Sequence, residues 1–222
     1  MESRYTNKAA NSIAIFDIDG TLRKTIDPWM LLHNHLGTAV EGAKYYKAWV
    51  NNEISYTKMT ELDASLWKGM AKDEMLKVFD LNPIRHGAKN LINWFKSKNM
   101  PCVGISTGLS FLNDITAKEL GLDEVVSNEI LFDNGICTGE VNIHVQEDSK
   151  DQVLKQILKK YHIDLGHIIS FGDGPADISM FNLSTLSVAV FPRSKEVSNS
   201  AQFTIQTEPI DSIIKHLPEL SL

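Results

Sequence analysis

The sequence predicts an α/β protein: a Rossmann-like parallel sheet with helices on both faces, plus a small helical cap inserted after the first strand. Three observations carry that expectation. Short apolar runs bounded by turn residues recur along the chain, as strands buried on both faces require. Amphipathic stretches with helical spacing separate them. About eighty residues, Thr21 to Met100, lie between the first two runs, far more than one crossover needs.

The runs are IAIFD (13–17), PCVGIS (101–106), IISFG (168–172), LSVAV (186–190) and FTIQ (203–206). Between them, residues 88–98 put Ala88, Leu91, Ile92 and Phe95 on one stripe, and residues 151–161 do the same with Val153, Leu154, Ile157, Leu158 and Tyr161. The long stretch after the first strand is helical in pattern and rich in aromatics. It reads as a cap over 27–82 on a core made of 1–26 and 83–222, with Pro83 and Gly87 marking the return. Asp133-Asn134-Gly135 between two apolar runs predicts a hairpin, because Asn-Gly supplies the positive φ angles of a tight turn.

Composition narrows the function classes. A net charge of -6 over 222 residues lacks the basic face a nucleic-acid binder needs. Cys102 and Cys137 are too few for a disulfide framework, and Cys102 in PCVGIS reads as a buried, inert thiol. The opening MESRYTNKAANS has no apolar stretch of a secretory signal, and no apolar run reaches the length of a membrane span. A cytoplasmic setting, with no membrane partner, is therefore expected; a homo-oligomer is compatible with the sequence.

Acidic residues gather where strands end. Asp17 and Asp19 follow IAIF directly, at the place where ligands of open α/β sheets collect. A carboxylate can be a covalent nucleophile toward a phosphoryl group, though Asp17 to Thr21 also reads as a solvated Asp-Gly turn. Ser106-Thr107-Gly108 follows PCVGI and offers a hydroxyl and backbone N–H groups to phosphate oxygens, or Ser106 simply caps the next helix. Gly172-Asp173-Gly174-Pro175-Ala176-Asp177 follows IISF with two hard oxygen ligands suited to Mg²⁺, although Asp177 can equally cap the helix after it. Lys150 opens the helix 150–161, where the dipole disfavours a cation, which suggests an anionic partner.

Taken in order, the acid pair, Ser-Thr-Gly, the lysine and Gly-Asp-Gly-x-x-Asp resemble the four motifs of the haloacid-dehalogenase superfamily, from about Ile13 to Val190. GDGPADISMF, ISTGLSFLNDITAKELGLD and ICTGEV resemble most its phosphoserine phosphatase-like branch. The resemblance implies a phosphatase acting on a small phosphorylated metabolite. In such enzymes Asp17 would take the phosphoryl group, and Asp19 would protonate the leaving oxygen and then deprotonate water. Mg²⁺ would be held by Asp17, the backbone carbonyl of Asp19, and Asp173, with Asp177 in support. Ser106, Thr107, Gly108 and Lys150 would hold the phosphate. A phosphotransferase using the same intermediate, or a catalytically silent binding module on the same scaffold, are the competing readings.

Recognition of the alcohol reads differently. Ile26 stands where the branch has an acid for the substrate ammonium, and Glu61 aligns near its carboxylate-binding arginine. Ala176 replaces the usual Asn of the fourth motif. These departures lead to the expectation that phosphoserine is not the preferred substrate. Of the cap aromatics Trp29, Tyr45, Tyr46, Trp49, Tyr56 and Trp67, most are expected to form a cap core, with some free to stack on a ring or face a cation. His33 and His35 are expected to be solvated.

Overall fold

The computed structural model describes residues 12–217; the first eleven residues, on which the expectation about a secretory signal rests, lie outside them. Among the described residues, strands β1 (Ile13–Phe16), β2 (Cys102–Leu109), β3 (Glu124–Asp133), β4 (Ile136–Asn142), β5 (Ile168–Gly172), β6 (Leu186–Val190) and β7 (Phe203–Ile205) form one sheet. Their order is β4-β3-β2-β1-β5-β6-β7, and only β4 runs antiparallel to its neighbour.

Strand pleating splits β1 between two cores. Ala14 and Phe16 point into one, with Ala88, Leu91, Ile92 and Phe95 of α5 (Ala88–Ser97), while Ile13 and Ile15 point into the other, with Val153, Leu154, Ile157 and Leu158 of α7 (Lys150–Tyr161). Each of these side chains is buried, and burial of each large one stabilises the fold by about 1.5–3 kcal/mol. Phe16 stacks on Phe171 at 4.8 Å and meets Phe95 edge-on at 5.9 Å, so the first core closes around three rings.

This layout locates the site. The chain goes from β1 to β2 and β3 on one side, then crosses to β5, β6 and β7 on the other. A crevice opens beyond the carboxyl end of β1, where the winding reverses, and Asp17 is the first residue past it.

One expectation about local structure changes. Ser106-Thr107-Gly108 belongs to β2, which runs to Leu109 with a slip of register against β3 after Ile105. Ser106 therefore caps no helix; Leu109 holds that position before α6 (Ser110–Leu120). The hairpin forms as expected, with Asn134 at φ 48° and Gly135 at φ 80° joining β3 to β4.

Residues 28–81 hold α1 (Pro28–Leu36), α2 (Ala39–Val50), α3 (Tyr56–Leu66), α4 (Lys72–Leu76) and a 3-10 helix, Lys77–Leu81. Asp27 starts α1 by accepting the Met30 amide at 2.9 Å, and Ser55 starts α3 by accepting that of Lys58 at 3.1 Å. The helices share a core with the sheet domain: Leu32, Ala64, Trp67, Met75 and Val78 pack with Leu109, Phe111, Ile130 and Cys137. So small an insert buries its apolar face by leaning on the β3–β4 hairpin.

Candidate active site

Asp17 and Asp19 occupy a tight loop after β1. At Gly20, with φ 90°, a Cβ would collide with the Asp173 carboxylate, so only glycine lets the two strand ends approach. Arg85 grips the same loop, donating to the Gly20 carbonyl from Nε at 3.0 Å and from a terminal nitrogen at 2.8 Å.

Lys150 lies at the centre, 2 % exposed, with Nζ at 2.6 Å from Asp17 Oδ1 and 2.6 Å from Asp177 Oδ1. Its awkward place at a helix N-terminus is thereby explained. Burial works against its charge, but the two carboxylates outweigh that and hold its pKa above the ordinary lysine value.

Asp177 spends its other oxygen on the amides of Asp173 and Gly174, at 2.8 and 2.9 Å. It folds the loop back on itself and makes no side-chain bond to the helix after it, α8 (Ile178–Phe181). Asp19 accepts from Ser106 Oγ at 3.1 Å. Its carboxyl is pushed up to about 7 by burial and by the charge of Asp17, so it can carry a proton near neutrality. Ser106 Oγ also accepts the Gly108 amide at 2.8 Å, which turns that N–H inward. Of the Ser-Thr-Gly stretch, Thr107 lines the cavity above, whereas Ser106 positions Asp19.

The acidic groups fit a divalent cation. One oxygen each from Asp17, Asp173 and Asp177 lies within 4.8 Å of the other two. Asp17 Oδ2 and Asp173 Oδ2 are buried without a hydrogen-bond donor, whereas both Asp177 oxygens are satisfied. Burial raises the pKa of both Asp17 and Asp173, aided by repulsion from Asp177 and, for Asp173, also from Asp17. Hard, orphaned carboxylate oxygens in a dry pocket are the donor set Mg²⁺ takes. Arg193 Nε sits 3.0 Å from Asp173 Oδ2, outside hydrogen-bond alignment.

Above this floor is a cavity of about 140 Å³ whose wall comes from the helical insert. Ile26, Asp27, Trp29, Tyr46, Trp49 and Tyr56 line it, with Asp63 and His33 farther in and Glu147 and Arg193 from the core. Trp29 donates to the Thr107 carbonyl at 3.0 Å, and Tyr56 OH approaches the same oxygen at 3.5 Å. The wall is thus tied to the strand end that carries Ser106 and lies beside Asp19.

Three expectations about the wall are corrected. Glu61 sits on the solvent face of α3, 51 % exposed and 3.5 Å from Lys58, while Met59, Thr60, Asp63 and Ala64 form the inner face. Helical periodicity puts Asp63, two residues on, toward the cavity. His33 is buried, not solvated, with Nε2 3.1 Å from Asp63 Oδ1 and Nδ1 2.7 Å from Thr38 Oγ1. Trp67 is core, but Tyr46, Trp49 and Tyr56 face the cavity. Arg23 is engaged away from the site, 2.6 Å from Glu119.

Asn128 was missed. Fully buried on β3, it accepts the amides of His144 and Val145, both at 2.9 Å, and donates to the carbonyls of Thr107 and Val145, both at 3.0 Å. It fastens the segment that delivers Glu147 and Lys150. An Asn inside the apolar run EVVSNEIL was the available signal. Arg193 was also missed, though it follows the carboxyl end of β6 as the acids follow β1 and β5.

A sheet reversal crowned by buried aspartates and one buried lysine defines a phosphoryl-transfer hydrolase. The chain belongs to the haloacid dehalogenase-like hydrolase family, whose model matches residues 14–182. Within it the protein is a phosphatase, similar to a phosphoserine phosphatase of Campylobacter jejuni subsp. doylei, 28 % identical over 91 % of this chain and 98 % of the relative. It is also similar to one of Methanocaldococcus jannaschii, 26 % identical over 92 % of this chain and 97 % of that one. A solved structure, the phospho-aspartyl intermediate analogue of a phosphoserine phosphatase, matches with a TM-score of 0.78 at 24 % identity, covering 93 % of this chain and 98 % of that one, and shows the shared fold. No described helix is long and apolar enough to cross a membrane.

Proposed function

We propose that the protein is a Mg²⁺-dependent phosphomonoester hydrolase working through an aspartyl phosphate on Asp17, with residues 27–82 as a cap over the site. The observation that carries this is the orphaned, buried Asp17 Oδ2, whose partner oxygen is pinned by Lys150. An oxygen of Asp17 attacks phosphorus as the ester P–O bond breaks, and the leaving oxygen takes its proton from Asp19. Asp19 then takes a proton from water, whose oxygen attacks phosphorus and releases phosphate and the Asp17 carboxylate. Asp17 and Asp173 would hold Mg²⁺, supported by Asp177, and the metal would offset repulsion between carboxylate and phosphate dianion. Lys150 holds Asp17 aimed and neutralises charge that develops beside it.

The names of the relatives favour phosphoserine as substrate, whereas Ile26, Ala176 and an insert that brings no arginine to the cavity stand as departures. Hydrolysis of p-nitrophenyl thiophosphate made chiral with ¹⁸O, run in ¹⁷O-water, tests the mechanism. Two successive displacements at phosphorus, first by Asp17 and then by water, should retain its configuration. Direct attack by water would invert it and would overturn the reading.

A further inference from the structure

Resting on that reading, we infer that the cavity selects monoesters whose alcohol carries a positive charge and no carboxylate: phosphorylated amino alcohols. The wall is a connected set of rings, with Tyr46 against Trp49 at 5.5 Å and Trp49 against Tyr56 at 5.7 Å, both edge to face. All three line the cavity. Two carboxylates share that lining, Asp27 and Glu147, and among the described residues neither forms an ion pair. Ring faces together with carboxylates attract an alkylammonium group, and more strongly where water is thinned out.

The basic side chains of the lining are committed elsewhere. Lys150 is held between Asp17 and Asp177. Arg193 stands 3.0 Å from Asp173, and His33 3.1 Å from Asp63. A carboxylate on the leaving alcohol would enter among Asp27, Glu147 and Asp63, three carboxylates against one partly exposed guanidinium that already faces Asp173, so discrimination comes from repulsion as well as attraction. Burial already pushes the Glu147 carboxyl up, with Lys150 and Arg193 pulling the other way. The 140 Å³ of space is the liquid volume of about five waters, which admits a small amino alcohol and its phosphate but not a nucleotide.

The test compares kcat/KM with Mg²⁺ for p-nitrophenyl phosphate, phosphoethanolamine, phosphocholine, glycerol 3-phosphate and L-phosphoserine. One of the two amino-alcohol esters should lead both glycerol 3-phosphate and phosphoserine by tenfold or more. In the double variant Asp27→Asn, Glu147→Gln that lead should shrink to threefold or less. Asn caps a helix as well as Asp does, so α1 should keep its start, which an unchanged melting temperature would verify. Phosphoserine or glycerol 3-phosphate level with the amino-alcohol esters, with p-nitrophenyl phosphate turned over, would overturn this inference and leave the hydrolase standing. A lead that survives in the folded double variant would overturn it as well. No turnover of any ester would overturn the hydrolase reading and this inference with it.

Discussion

The floor and the wall of the cavity are built on different physics. On the floor, Asp17, Lys150, Asp173 and Asp177 are almost wholly buried, and charge is balanced against charge within a few ångströms. On the wall, Tyr46 is half exposed, Asp27 and Glu147 have no cationic partner among the described residues, and Trp29 reaches the strand end through one hydrogen bond to Thr107. A dry, preorganised floor suits a reaction whose barrier is mostly electrostatic, since its dipoles need not reorganise as charge moves. A partly open, aromatic wall suits recognition of an alcohol that must enter and leave. On the proposed function the difference teaches that chemistry and specificity rest on separate elements, so substitutions in one should leave the other measurable.

The largest expected effect is on the floor. Asp17→Asn should cut kcat by roughly four orders of magnitude or more while leaving circular dichroism and Tm close to wild type, because the amide keeps the shape without the nucleophilicity. Activity above a tenth of wild type would remove Asp17 from the proposed role.

Metal dependence comes next. Exhaustive chelation should abolish turnover, and Ca²⁺ should restore it poorly, since it prefers a larger and looser oxygen shell. Binding can be read without activity: Mg²⁺ at a hundredfold over its Kd should raise the wild-type Tm by roughly 5–10 °C. Asp173→Ala should lose that shift, and a shift of wild-type size in the variant would place the cation elsewhere.

Lys150→Met probes the balance of charge itself. Without the cation, Asp17 and Asp177 remain buried and uncompensated, which should destabilise the metal-free protein by about 3–5 kcal/mol, or roughly 6–20 °C in Tm. A calorimetric Tm within 2 °C of wild type would mean the lysine contributes position only.

The smallest expected effects sharpen the reading of the wall. Glu61→Gln should change stability by less than about 0.5 kcal/mol and kcat/KM by less than twofold, because its side chain faces solvent. Asp63→Asn on the same helix should change kcat/KM by more, because it meets His33 at the cavity wall. Equal effects from the two, measured on the same esters, would erase the distinction between the faces of α3.

The floor was legible because its residues follow a local rule. Each acid stands within a few residues of the end of an apolar strand, and in an open sheet such ends converge on one crevice. Lys150 announced itself by an unfavourable place on its helix, which called for a partner without saying which; it has two, Asp17 and Asp177. The wall was not legible in the same way. Whether Glu61 or Asp63 faces the substrate depends on helix rotation, and an error of two residues turns a side chain through more than half a turn.

What the sequence determined by itself is therefore the sheet, its alternation with helices, the hairpin at Asn134-Gly135 and the acids at the strand ends, all set by periodicity and backbone chemistry over a few residues. Only the tertiary structure decided that Ser106 serves Asp19 and takes the Gly108 amide, that Asn128 fastens the segment before Lys150, that His33 is buried against Asp63, and that the insert shares its core with the β3–β4 hairpin. The physical reason is range: these bonds and contacts join groups on separate elements, and a pairing of that kind exists only after the chain has packed.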